Sequence, residues 1–125
     1  MSYNLTIKNQ NGETVVIPEK HDLRGGTYCI GGTNELTLNI TRNYWKIFQR
    51  IFGEKGTDVL TRKPLREVLP LIDKGIEELG DAIPSDDYWK ACDGNVKRCL
   101  LDLKTLVELA LMYFPKDEMF FVNEG

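Results

Sequence analysis

Residues 35–53, ELTLNITRNYWKIFQRIFG, change their hydrophobic period part-way along, and that change decides the fold class. Leu36, Leu38 and Ile40 alternate with Thr37 and Asn39, the period-two pattern of a half-buried strand. Beyond them the apolar side chains fall at Tyr44, Ile47, Phe48, Ile51 and Phe52, the spacing of one helix face. Thr41 or Asn43 offers the side-chain oxygen that caps such a helix, and Gly53 ends it. A strand running almost directly into a helix predicts sheet before this point and helix after it.

Towards the N-terminus the strand pattern continues. YNLTIK (3–8) alternates, NQNGE (9–13) contains an Asn-Gly turn, and TVVIP (14–18) returns as a partner strand ended by Pro18. TYCI (27–30) and ELTLNI (35–40) form a second pair, with glycine pairs at 25–26 and 31–32 permitting positive φ at the strand ends.

Towards the C-terminus the helical period persists. PLREVLPLIDKGIEELG (64–80) places Leu65, Val68, Leu69, Ile72, Ile76 and Leu79 on one face, and Pro70 implies a start near Glu67, because first-turn amides have no intrahelical partner to lose. NVKRCLLDLKTLVELALMYF (95–114), capped by Asp93 or Asn95, carries a stripe from Val96 and Cys99 through Leu103 and Val107 to Phe114. Leu101, Leu109, Met112 and Tyr113 widen that stripe, which implies a helix at the centre of the fold or one shared with a second subunit in a homodimer. MFFVN (119–123) reads as a short final strand. The expected class is α+β: a small, mostly antiparallel sheet packed by three helices, the last long and central. Residues 1–125 form one domain, with strands to 41, helices over 42–114 and a strand or tail from 115.

A chain of 125 residues fits one domain with a core of its own. The net charge of −3 argues against nonspecific binding to nucleic acid or to an anionic membrane. The charge is segregated, however: residues 42–66 are basic and residues 67–93 acidic, as though the two segments were neighbours with complementary surfaces, or as though one suited an anion and the other a basic partner. Cys29, Cys92 and Cys99 make neither a disulfide framework nor a zinc pattern, which points to a reducing, cytoplasmic setting. MSYNLTIKNQNG lacks the basic and apolar regions of a signal peptide, and charges interrupt every apolar run before membrane-spanning length.

No catalytic residue, metal set or cofactor motif emerges. His21 precedes Asp22, but neighbours in an extended segment point to opposite sides, so a turn or surface role is expected. RGGTYCIGGT (24–33) lacks the order of a phosphate-binding loop. A noncatalytic site is better supported. The amides of Gly25, Gly26 and Gly32 are unobstructed and suit an anion, and Arg24 offers a fork of donors for phosphate. Tyr28 and Tyr44 offer ring faces to a base, while Thr33, Asn39, Thr41 and Asn43 gather polar groups at the strand-to-helix join. The plain alternative makes the glycines turn residues, Thr41 an N-cap and the tyrosines core. Tyr88 and Trp89, ahead of a long apolar helix, are expected to staple the core; exposed, they would mark an interaction surface together with Asp86 and Asp87.

The segments 24–44 (RGGTYCIGGTNELTLNITRNY), 53–56 (GEKG), 69–81 (LPLIDKGIEELGD) and 86–103 (DDYWKACDGNVKRCLLDL) together resemble a group of small proteins encoded by bacteriophages and prophages. The resemblance covers most of the chain and departs from the group's YW-x-x-T-x-GN pattern at Cys92. It implies a setting: an accessory protein acting in the cytoplasm of a bacterial host, with counter-defence as one such role. Joined to the Gly-rich stretch, it leads to the expectation of a protein that sequesters an anionic, nucleotide-like second messenger. A protein-binding inhibitor that turns its acidic surface to a host defence protein is the alternative, and a small carboxylate-dependent hydrolase a third reading.

Overall fold

The computed structural model describes residues 1–27 and 32–125. In chain order these form β1 (Ser2–Asn9), β2 (Val16–His21), β3 (Thr33–Glu35), β4 (Thr37–Thr41), α1 (Trp45–Phe52), α2 (Leu65–Glu78), α3 (Asp93–Tyr113) and β5 (Met119–Asn123). Single 3-10 turns, Arg42–Tyr44 and Gly56–Leu60, flank α1. The architecture is α+β: an antiparallel sheet of order β4-β1-β5, a smaller antiparallel pair β2-β3, and three helices, the last of them long.

Alternation decides which face of the larger sheet is buried. Tyr3, Leu5 and Ile7 of β1, Leu38 and Ile40 of β4, and Met119 and Phe121 of β5 are all buried in one core with Phe48, Ile72, Leu100, Leu103 and Val107 from the helices. Each such aliphatic or aromatic side chain contributes roughly 1.5–3 kcal/mol on leaving water. The opposite face is polar and tied by cross-strand pairs. Asn39 donates to Asn4 Oδ1 at 2.7 Å, and the Thr6 and Thr37 hydroxyls lie 2.9 Å apart.

Several expectations are corrected in detail. Pro18 does not end its strand; β2 continues to His21 with a register shift, and it pairs with β3 rather than with β1. The first turn is joined to β1 by the Lys8–Thr14 bridge and by bonds from Asn9 N to Glu13 O at 3.0 Å and from Val15 N to Ile7 O at 2.9 Å. The expected strand at 27–30 falls mostly on residues outside those described. Helix α2 begins at Leu65, not near Glu67, so Pro70 sits more than a turn inside it. Pro70 is exposed, and so is Arg66, the residue whose carbonyl it leaves without an intrahelical donor. Neither Asp93 nor Asn95 caps α3; Cys92 holds that position and both residues lie within the first turn. Thr41 does act as a cap, accepting from Asn43 N at 3.3 Å, but for the 3-10 turn that precedes α1.

Helix α3 buries Val96, Cys99, Leu100, Leu103, Leu106, Val107 and Ala110 and packs on α2, α1 and β4. Leu101 and Met112, which widen the stripe in the sequence, are exposed. The acidic and basic segments meet in a single ion pair among the described residues, Arg50 to Asp93 at 2.6 Å. No helix of the described chain is long and apolar enough to cross a membrane.

Candidate functional site

Three pieces of chain converge at the free edge of β4. The first is segment 22–27. Gly25 runs parallel to β4, donating to Asn39 O at 3.1 Å and accepting from Thr41 N at 2.8 Å. Gly26 has φ +85°, and a Cβ there would come within 2.4 Å of the Tyr44 hydroxyl. Both the left-handed backbone and the close approach therefore require glycine at this position. The Thr27 hydroxyl donates to Asn39 O at 3.2 Å.

The second piece is the start of α3, which presents Arg98 and Asp102 four residues apart on one face. Asp102 Oδ2 accepts the backbone N–H of Arg24 at 3.0 Å, fastening segment 22–27 to the helix. Burial raises the pKa of the Asp102 carboxyl; that N–H bond and the nearby Arg98 and Arg24 charges oppose the rise without cancelling it.

The third piece is the loop over 80–92. Asn95, 1% exposed, ties it down. Its Oδ1 accepts from Ser85 N at 2.9 Å, and its amide nitrogen donates to the carbonyls of Asp87 and Lys90, each at 2.9 Å. Gly94 admits the loop so closely that a Cβ would lie 1.9 Å from Ile83 O. The far side of the loop is held by two further donors. The Tyr44 hydroxyl donates to Tyr88 O, and Asn43 Nδ2 donates to Trp89 O at 2.9 Å. With its carbonyls thus fixed, the loop carries Tyr88 and Trp89 outward, 44% and 48% exposed. The expected core staple is corrected: the backbone of the aromatic pair is anchored through its carbonyls, while the two residues stay about half exposed.

Two hollows result, and Thr27 lines both. One is a cleft of about 220 Å3 lined by Asp22, Arg24, Gly26, Thr27, Tyr88, Arg98 and Asp102, with Leu23 at its side. The Arg98 guanidinium lies 4.1 Å from the centre of the Tyr88 ring and that of Arg24 5.9 Å away, so two cations share one aromatic ring. The other is a depression of about 370 Å3 formed by Met1, Ser2, Thr27, Asn39, Thr41, Asn43 and Trp89.

The residues expected to bind a ligand are thus distributed as follows. Arg24 and Gly26 line the cleft, Asn39, Thr41 and Asn43 line the depression, and Gly25 lies buried at the sheet edge. Tyr44 is 0% exposed and offers no ring face; burial pushes its phenol up to about 12. Gly32 and Thr33 lie with β3 near His21, outside both hollows. Tyr28 falls outside the described residues. His21 is bound into this second pair, Nε2 to Glu35 O at 2.7 Å and Nδ1 to Leu23 N at 3.3 Å. Asp86 is exposed on the loop, and Asp87 Oδ1 accepts from Trp89 N at 3.1 Å. Sequence reasoning missed Arg98, Asp102 and Thr27 at the cleft and the anchoring role of Asn95. Arg98 and Asp102 register in the sequence only as charges breaking an apolar run. Among the described residues no three His, Cys, Asp or Glu side chains gather as a metal site. No protein-family model matches this chain, and no curated protein or solved structure is significantly similar to it. The site is therefore read from its own chemistry.

Proposed function

We propose that this protein is a non-catalytic binding protein that captures an anionic, nucleotide-like ligand in the cleft between segment 22–27 and α3. The observation that carries the reading is the pair of guanidiniums, Arg24 and Arg98, held beside Tyr88 at the mouth of a small hollow. Two forked donors suit a phosphate, and the Gly26–Thr27 backbone passes beside them without a bulky side chain. Asp102 belongs to the scaffold of the cleft, since its carboxylate holds the Arg24 backbone N–H. In the setting that the phage-type resemblance implies, such capture withdraws a nucleotide second messenger from host defence.

The test is direct. Purified protein is incubated with a panel of nucleotides, separated from free ligand, heated, and the released material analysed. Intact nucleotide is the expected result; altered nucleotide would indicate a hydrolase instead. Arg24→Ala should weaken binding about tenfold to a hundredfold, the scale of one charge-assisted contact. Undiminished affinity in Arg24→Ala would remove the cleft as the site.

One observation favours a second reading. Ile83, 83% exposed, stands on the same acidic loop as Tyr88, Trp89 and Asp86, a grouping that suits a basic protein surface. Ile83→Asp with Asp86→Lys abolishes inhibition of a host protein under that reading and leaves nucleotide capture intact under the first.

A further inference from the structure

We infer that the depression beside Trp89 is a nucleoside subsite, and that the ligand lies across Thr27 with its phosphate in the cleft and its ribose and base in the depression. The inference rests on the anion reading of the cleft and gives that ligand a second, uncharged half.

The two hollows differ sharply in chemistry. Four charged side chains line the cleft, Asp22, Arg24, Arg98 and Asp102, whereas among the described residues no charged side chain lines the depression. Its walls offer hydroxyls, amides and one half-exposed indole, a set that suits a polyhydroxylated ring joined to a flat heterocycle. The amides are oriented and retain bonding capacity. Asn39 gives one N–H to Asn4 and Asn43 gives one to Trp89 O, so each keeps its side-chain carbonyl for a ribose hydroxyl. Thr41 accepts from Asn43 N and keeps its hydroxyl proton to donate. Trp89 takes the base-stacking role that its sequence position gave no reason to assign and that buried Tyr44 cannot fill. The Arg98 and Arg24 guanidiniums both lie over the Tyr88 ring, at 4.1 and 5.9 Å from its centre, which assigns that ring to the phosphate half of the ligand rather than to the base.

Size agrees. The cleft, at about 220 Å3, is below the roughly 300–1,000 Å3 usual for small-molecule sites, while the depression, at about 370 Å3, is within it. A phosphate fits the smaller and a nucleoside the larger. Consecutive residues, Tyr88 and Trp89, serve the two hollows from one anchored loop, and Thr27 borders both.

The chain has two tryptophans, so Trp45→Phe leaves Trp89 as the sole indole reporter. That variant is titrated with the 5′-monophosphates of adenosine, guanosine, cytidine and uridine, with the matching nucleosides, and with inorganic phosphate. At least one nucleotide and its nucleoside should quench Trp89, the nucleotide at least tenfold more tightly. Phosphate alone should bind by calorimetry without quenching, and Arg24→Ala should lower nucleotide affinity to that of the nucleoside. Phosphate or nucleotide binding with Trp89 emission unchanged overturns the nucleoside subsite and leaves the cleft reading standing. Nucleoside quenching with no gain from the phosphate overturns the cleft reading and the bridging ligand together. Absence of binding by every probe overturns both. If Trp45→Phe does not fold, calorimetry on the parent chain with Trp89→Leu as the comparison applies the same criteria: Trp89→Leu should lose nucleoside binding and keep phosphate binding.

Discussion

Asn95, inside the first turn of α3, donates to the carbonyl of Asp87 at 2.9 Å and so fixes the loop that displays Tyr88 and Trp89. The same amide reaches Lys90 O and Ser85 N, so one buried side chain sets three points of the loop. Asn95→Ala removes all three bonds at once and should cost about 2–4 kcal/mol, since each lost partner leaves a part-buried polar group unsatisfied. Denaturant unfolding measures the loss, and amide exchange over 85–90 should rise more than exchange over α2. Unchanged exchange in that loop would contradict the anchoring role.

Gly26 tests the close approach over Tyr44. Gly26→Ala combines a left-handed backbone at φ +85° with a methyl 2.4 Å from a buried hydroxyl, and should destabilise by roughly 2–4 kcal/mol. Gly12, at φ +78° with open space around it, is the control. Gly12→Ala should cost only about 1 kcal/mol of backbone strain. Thermal melts of the two variants separate crowding from conformation.

Tyr44 should show its burial in alkali. Its phenol is pushed up to about 12, mainly by burial, so it stays protonated where ordinary tyrosines ionise. The folded chain therefore holds this proton more tightly than the unfolded chain does. Stability from this group is intact below 10, the ordinary tyrosine value, and declines as the pH rises from 10 towards about 12. Ultraviolet titration of the wild type against Tyr44→Phe should reveal one late-ionising phenol, and Tyr44→Phe should also loosen the loop at Tyr88.

Asp102 carries the opposite experiment, at acid pH. Burial raises its carboxyl pKa above the ordinary 3.8, so it gains a proton earlier than exposed carboxylates as the pH falls. The sign for stability follows: the cost of its buried charge is absent below 3.8 and appears as the pH rises through the raised value. Asp102→Asn keeps an oxygen for the Arg24 N–H and removes the charge. It should be at least as stable as wild type at neutral pH, bind phosphate more tightly there, and lose the acid-side gain in phosphate affinity that wild type should show. Calorimetric titrations at two pH values check this.

Arg50 and Asp93 make a short ion pair, 2.6 Å, but both side chains are about half exposed. Arg50→Ala should change stability by only about 0–1 kcal/mol, and less in high salt.

The strands and helices were legible wherever one period ran unbroken. Leu36, Leu38 and Ile40 gave β4 and its buried face, and Tyr44 to Phe52 gave α1, because burial on one side writes its repeat into the residues themselves. Pairing was less legible. Nothing local says that β2 turns away from β1 to meet β3, since Pro18 is tolerated in a two-stranded pair whose edges are open. The site was half legible. Arg24 and Gly26 stand out as a local cluster, whereas Arg98 and Asp102 join them only through the packing of α3, some seventy residues on. Asn95 read as a cap for its own helix and instead reaches backwards into the loop, a difference decided by the close contact at Gly94.

The arrangement of the larger sheet bears on how the chain is assembled. Leu5 has Leu38 on one side and Asn123 on the other, so β1 is central yet its second neighbour is synthesised after the other four described strands. During translation one flank of β1 stays unpaired until residues 119–123 have emerged from the ribosome. Pairing across such a span makes for slow closure, so refolding should be limited by the docking of β5 and the nascent chain should be vulnerable to edge-to-edge association until that step is complete.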